Sequence, residues 1–193
     1  MSIPQRRHLM PILETKRLIL RPWQLDDLED FHAYAKVKGV GEAAGWPPHN
    51  TLEDTEQVLK VFMATAGHQA IWHKQDQKVI GSLGVHVRDA MEPGHEGKKF
   101  RHLGFVLAKD YWGAGLMTEA VRRLLEAWFE DHHLDVMFCG HFDINMRSQR
   151  VVEKCGFIKI GEGPYESKLL RRTFNQIRYK LTRERYESVK KDW

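Results

Sequence analysis

The chain has 193 residues, 42% hydrophobic and 29% charged, with 15 Gly and 7 Pro. That is the size of one domain, which usually runs roughly 100–200 residues, and it is too apolar for global disorder. No apolar run approaches the about 18 residues that span a bilayer. Met1–Leu13 lacks the long apolar core of a secretory signal, and two cysteines, Cys139 and Cys155, supply neither a disulfide framework nor a zinc cluster. A single domain over residues 1–193, in the cytoplasm and away from membranes, is expected.

The formal net charge of +4 is unevenly placed: Lys168–Trp193 holds nine Lys or Arg against three Asp or Glu, so the rest of the chain is slightly acidic. A basic tail suits nucleic acid, a membrane surface or a phosphorylated cofactor. The plainer reading, in which these charges solvate the outer face of a last strand and helix, is preferred.

In chain order, Arg17–Arg21 reads as a short strand ended by Pro22, which lacks a ladder donor. Asp26, Asp27, Glu29 and Asp30 crowd the first turns of a helix running to about Lys38, where acidic groups suit the positive end of the dipole. Gly39–Asn50 is a breaker-rich loop. A helix over Leu52–Ala66 follows, with Thr51 as N-cap and Asp54 completing a capping-box pattern. Ala70–Lys74 and Lys78–Val87 form a hairpin around Gln75-Asp76-Gln77. Arg88–Lys99 is a polar loop, and Arg101–Ala108 a strand in which Gly104 marks a bulge or close approach. Apolar residues at 117, 120, 121, 124, 125 and 128 have the spacing of an amphipathic helix. Leu134–His141 is a strand, Met146–Lys154 a short helix, and Phe157–Glu162 and Arg172–Leu181 the last strands. This order mixes an antiparallel meander with one strand–helix–strand crossover, an α/β or α+β sandwich on one sheet.

Two stretches carry chemistry. In Gly104–Ala120 a strand ends, Gly113 and Gly115 open a tight turn, and a helix starts at once. Helix N-termini expose free N–H groups and partial positive charge, and glycines let the backbone approach a ligand, so the turn suits a phosphate or pyrophosphate. It is neither a Walker loop nor a three-glycine dinucleotide fingerprint. The second stretch, Asn145-Met-Arg-Ser-Gln-Arg-Val-Val-Glu-Lys-Cys-Gly-Phe157, reads as a short helix capped by Asn145 and closed by Gly156.

With its opening Leu13-Glu-Thr-Lys-Arg-Leu-Ile-Leu-Arg-Pro, Trp46-Pro-Pro, Val79-Ile-Gly-Ser-Leu-Gly, Tyr111-Trp-Gly-Ala-Gly-Leu-Met-Thr-Glu-Ala and Asn145-x-x-Ser ending in Glu153-Lys-Cys-Gly-Phe, the sequence resembles GNAT-superfamily acyltransferases. Within them it is most similar to the branch that acetylates the N-termini of ribosomal proteins. The resemblance runs from Leu13 to Leu181 and implies a GNAT fold: a mixed, mostly antiparallel sheet of about seven strands flanked by about four helices. It also implies acetyl-CoA as donor, bound by Phe105, Val106 and Leu107, by Trp112, Gly113, Ala114, Gly115, Leu116 and Met117, and by Asn145. In such folds the pyrophosphate lies on the glycine turn, while pantetheine enters a slot where the Gly104–Leu107 strand splays from Leu134–His141. Trp112 and Met117 depart from the family's usual (Gln/Arg)-x-x-Gly-x-(Gly/Ala) pattern, which spares main-chain contacts and leaves the side-chain contact without its usual donor.

Acetyl transfer to an amine needs positioning, oxyanion stabilisation, a neutral amine and a protonated leaving thiol. An α-amino group, with pKa roughly 7.7–8.0, loses its proton more readily than a lysine at about 10.4. Many relatives place an acidic Tyr where this chain has Val152. The resemblance instead gives Ser148 to the thiolate, Glu166, in a loop after the Phe157–Glu162 strand, to the base, and Trp46 to the acceptor. Glu162, Glu92, His86 and His102 are alternative bases. No metal is expected. The expected activity is acetyl transfer to a protein or peptide N-terminus in a ternary complex, by a monomer or homodimer. A small amine such as a polyamine, amino sugar or amino acid is the alternative acceptor. Nucleic-acid binding by the tail is the competing class; it is disfavoured because only Phe174, Tyr179 and Tyr186 could stack on bases there.

Overall fold

A computed structural model describes residues 11–87 and 97–193. Its elements are β1 (Leu13–Glu14), β2 (Leu18–Arg21), α1 (Leu28–Ala35), α2 (Leu52–Ala64), β3 (His68–His73), β4 (Lys78–His86), β5 (Phe100–Leu107), α3 (Leu116–Glu126), β6 (Val136–Phe142), α4 (Met146–Lys154), β7 (Ile158–Ser167), β8 (Arg172–Thr182) and α5 (Arg183–Val189). The strands form one eight-stranded sheet in the order β1-β2-β3-β4-β5-β6-β8-β7. Every pairing is antiparallel except β5 with β6, which the α3 crossover makes parallel. The fold class matches expectation, with eight strands rather than about seven.

Each face of the sheet carries its own core. On one face α3 turns Leu116, Met117, Ala120, Val121, Leu124 and Leu125 inward, onto Leu83, Leu103, Leu107 and Met137. Leu124 and Leu125 are fully buried, worth about 1.5–3 kcal/mol each in surface removed from water. On the other face Trp23, Phe31 and Tyr34 pack with Leu59, Ala70 and Val79. The Thr51 capping box forms as read: Thr51 Oγ1 accepts from the Asp54 amide at 3.1 Å, and the Asp54 carboxylate accepts from the Thr51 amide at 3.0 Å.

Three differences from the sequence reading bear on the site. β1 is a two-residue addition beyond Thr15. β7 runs on through Gly161, Gly163 and Pro164 to Ser167, so Glu166 lies in a strand rather than in a loop. That run is tolerated because β7 is an edge strand, where a proline costs no ladder bond on its outer side. Finally, α5 follows β8 directly, capped by Thr182, whose hydroxyl accepts from the Arg185 amide at 3.2 Å.

Two cations of the basic tail are engaged locally. Arg183 donates to the carbonyls of Phe129 and Leu134, each at 2.7 Å, and Lys190 pairs with Glu130 and Glu187 at 3.0 and 2.8 Å. The three aromatic residues weighed as base-stacking positions are all buried: Phe174 stacks on Phe142, Tyr186 on Phe129, and Tyr179 on His141.

Candidate active site

The glycine turn sits between the end of β5 and the first residue of α3. Gly113 and Gly115 have φ of +82° and +77°, in the left-handed region that only glycine enters without penalty. Gly115 is the N-cap of α3 and, having no side chain, leaves the first-turn N–H groups uncapped. The turn is held from outside. Arg17 Nη1 donates to the Ala114 carbonyl at 2.9 Å, and Arg17 Nε donates to Glu119 Oε2 at 2.7 Å. Glu119 Oε1 also accepts from the Thr15 hydroxyl at 2.6 Å and the Arg17 amide at 2.9 Å. Burial works against the charge on Glu119, but the hydrogen bonds from Thr15 and Arg17 outweigh it and hold the carboxyl below its ordinary range.

Beside the turn, β5 and β6 part. Their ladder pairs Phe100 with Val136 through Leu103 with Cys139 and stops there, while β5 continues to Leu107 against β4. The Ala108 amide donates to the Ile80 carbonyl at 2.7 Å. Antiparallel alternation therefore aims the N–H and C=O of Phe105 and Leu107 away from β4, into the gap. The Leu107 carbonyl accepts from the Trp112 indole at 2.8 Å. The splay read from the sequence is thus present.

Asn145 closes the other wall. Its Oδ1 accepts from the Ser148 amide at 3.2 Å as the α4 N-cap, while its Nδ2 donates to the Ala43 carbonyl at 3.2 Å. This ties the Gly39–Asn50 loop to α4, and the Ser167 hydroxyl does the same from β7 by donating to the Gly45 carbonyl at 2.7 Å.

Two cavities meet at the gap. The first, about 190 Å³, lies on the α3–α4 face. It is lined by Phe105, Val106, Leu107, Trp112, Gly113, Gly115, Leu116, Met117 and Asn145, all of the set anticipated for the donor except Ala114, and by Ser148, the residue anticipated for the thiolate; the Ala114 carbonyl accepts from Arg17 instead. Sequence reasoning missed Arg147, Arg150 and Lys154, three cations at this cavity's wall. Their spacing along α4 is one helical face, a signal that was legible. The Arg147 guanidinium sits 3.8 Å from the Trp112 ring centroid, a contact of about 0.5–1 kcal/mol at an exposed site.

The second cavity, about 320 Å³, opens between β5, β6, β7 and β8 and shares Ala43, Ala44, Phe105 and Ser148 with the first. His102, His141, Tyr165, Arg178 and Tyr179 line it. His102 was among the weighed bases; His141 and Tyr179 were not, because they meet only through the β6–β8 register.

The remaining candidates lie elsewhere. Glu166 is exposed, one residue along from the cavity-lining Tyr165, so strand alternation turns it to the opposite face, and it lines neither cavity. Trp46 packs on Gly41 and tilts against His49 with centroids 5.2 Å apart; it too lines neither cavity. Glu162 is paired with Lys159 at 2.7 Å, His86 is outside both linings, and Glu92 lies outside the described residues. Val152 is fully buried. Among the described residues no group of three or more His, Cys, Asp or Glu could hold a metal ion, and no helix is long and apolar enough to cross a membrane.

Residues 17–158 match the model of the acetyltransferase (GNAT) domain. The chain is 25% identical to the uncharacterized N-acetyltransferase YoaA of Bacillus subtilis over 79% of its own length and 86% of that protein. Two solved structures share the fold. The microcin C7 self-immunity acetyltransferase MccE, in complex with acetyl-CoA and AMP, has a TM-score of 0.74 and 18% identity, covering 90% of this chain and 98% of that one. The ribosomal-protein-S5-alanine acetyltransferase from Vibrio fischeri has a TM-score of 0.70 and 19% identity, covering 91% and 98%.

Proposed function

From membership of the GNAT acetyltransferase family, to which this chain belongs as an acetyl-CoA-dependent N-acetyltransferase, we propose that the first cavity holds the donor and the second the amine acceptor. The reading rests above all on the β5–β6 gap, where the N–H and C=O of Phe105 and the N–H of Leu107 face a slot beside the glycine turn, the Leu107 carbonyl being taken by the Trp112 indole. An extended pantetheine arm pairs with such an edge as an added strand does. The N–H groups of Gly113–Met117 receive the pyrophosphate, and Arg147, Arg150 and Lys154 supply countercharge along one wall.

The chemistry is direct attack in a ternary complex. Burial pushes the Cys155 thiol up to about 12, which disfavours a covalent acetyl-cysteine route through it. The acceptor nitrogen reaches the thioester from the second cavity, a Phe105 N–H stabilises the oxyanion, and the bond to sulfur breaks. Ser148, at the junction of the two cavities, donates its hydroxyl hydrogen bond to the departing thiolate in place of the tyrosine that Val152 replaces. Glu166 and Trp46 have no part in this reading.

The acceptor is a protein or peptide N-terminus. The low pKa of an α-amino group favours it, and the similarity to a structure named as a ribosomal-protein-S5-alanine acetyltransferase supports it. Calorimetric titration with acetyl-CoA tests the donor. CoA release across peptides beginning with alanine or serine, a polyamine, an amino sugar and free amino acids tests the acceptor. Turnover confined to the small amines would overturn the peptide assignment.

A further inference from the structure

Resting on the assignment of the second cavity to the acceptor, we propose that Tyr179 and His141 form the proton relay that accepts the proton of the attacking amine. His141, on β6, places Nδ1 2.8 Å from the Phe142 carbonyl oxygen and Nε2 3.2 Å from the Tyr179 hydroxyl. A carbonyl only accepts, so Nδ1 carries the hydrogen; the neutral ring then has a bare Nε2, which accepts from the Tyr179 O–H. The two rings stack with centroids 5.4 Å apart, and each residue is only 4% exposed. Both line the second cavity and neither lines the first. The pair therefore stands on the amine side of the gap, whereas Ser148 stands at the junction.

The chemistry of the pair favours relay over direct abstraction. Burial, helped by the Glu153 carboxylate on α4, raises the Tyr179 hydroxyl above its ordinary value, so it stays protonated and passes a proton only as it gains one. Other titratable or charged groups around the pair are Cys139 on β6, Lys159 and Tyr165 on β7, His102 on β5 and Arg178 on β8. The bound ammonium gives a proton to the Tyr179 oxygen as the Tyr179 hydroxyl proton moves to His141 Nε2. The nitrogen keeps its electron pair for the new C–N bond, and the imidazolium is held between two acceptors, the Phe142 carbonyl and the Tyr179 oxygen. After attack the C–S pair leaves with sulfur, the second nitrogen proton passes to the thiolate, and His141 returns its own proton to water.

Two measurements test the relay. Long-range 1H–15N spectra of the protein alone should show His141 as the Nδ1–H tautomer. In Tyr179→Phe its Nε2 resonance should move while the tautomer is kept. A His141 that carries its hydrogen on Nε2 overturns the relay whether or not any acceptor is turned over. The second measurement is kcat/KM from pH 6 to 9.5 with a peptide beginning with serine. With the relay the ammonium form is productive; without it only the neutral amine reacts, and at pH 6.5 that is about one α-amino group in twenty. Tyr179→Phe should thus lose tenfold or more at pH 6.5 and stay within about twofold of the parent at pH 9.5. A loss uniform across pH, or none, would contradict the relay. Acetyl-CoA titration of the same variant reads the donor site separately: unchanged affinity shows an intact fold, and its absence in the parent would sink the broader functional reading instead.

Discussion

Replacing Gly115 by Ala and by Asp separates backbone from charge at the proposed pyrophosphate turn. A Cβ at Gly115 would meet nothing closer than Arg17 Nη2 at 3.7 Å, so neither variant clashes. Both must hold φ near +77°, which costs an L-residue about 1–2 kcal/mol. Only the Asp variant adds a negative charge. At roughly 6 Å and an effective dielectric of about 20, that charge repels each phosphate charge by about 3 kcal/mol. The nearby Arg17 guanidinium offsets part of this, and we take half as a conservative remainder, still about tenfold in affinity. Gly115→Ala should therefore raise the apparent KM for acetyl-CoA a few-fold, and Gly115→Asp at least tenfold beyond Gly115→Ala. Added salt should narrow the difference between the two variants. Steady-state kinetics at low and moderate ionic strength reads this directly. Equal KM values for two folded variants would refute placement of an anion at this turn.

Other predictions address the remaining walls. Gly104 lines the second cavity and has no atom within 4 Å of an added Cβ, so Gly104→Val should fold normally, keep acetyl-CoA affinity within about twofold and lower kcat/KM for the acceptor at least tenfold; unchanged acceptor kinetics would remove that cavity from the acceptor path. Ser148→Ala should lower kcat about tenfold with little change in the acetyl-CoA KM, the pattern of an interaction made in the transition state, and a parent-like kcat would assign the thiolate to water. Asn145→Ala loses both the α4 cap and the tie to Ala43 and should lower stability by about 1–2 kcal/mol in denaturant unfolding. The folded-state pKa of Glu119 is depressed below 4.5, so its stabilisation is complete above that value and vanishes as pH falls through the lower folded value. The Tm gap between the parent and Glu119→Gln should accordingly be constant near neutrality and close as the solution is acidified below pH 4.5; a gap that does not change would contradict the Thr15–Arg17–Glu119 clasp.

What the sequence disclosed, and what it did not, follows from the range of the interactions. Local signals worked. The 3.6-residue apolar spacing from Met117 located α3, the Thr51–Asp54 pair located the start of α2, and Asn145 with Gly156 bracketed α4. The glycine turn was readable because a strand end, two glycines and a helix start are contiguous. β7 was ended at Glu162, just before Gly163 and Pro164, yet an edge strand bears both residues and runs on to Ser167. Glu166, read in a loop after that strand, therefore stands within β7 and lines neither cavity. Non-local features carried no local signature: Arg17 and Glu119 are 102 residues apart, and His141 and Tyr179 are 38 apart. Trp46 was assigned to the acceptor through the family resemblance of its loop, while its ring covers Gly41.

The donor site is tested most directly by following backbone amides in a 1H–15N correlation spectrum as acetyl-CoA is added. Saturable shifts should appear at Phe105 and Leu107 on the open edge of β5 and at Gly113 through Met117 on the turn, while amides of β2 and β3 at the far side of the sheet stay in place. Saturable binding that moves other amides and leaves Phe105, Leu107 and the turn unshifted would contradict the placement of acetyl-CoA in the β5–β6 gap.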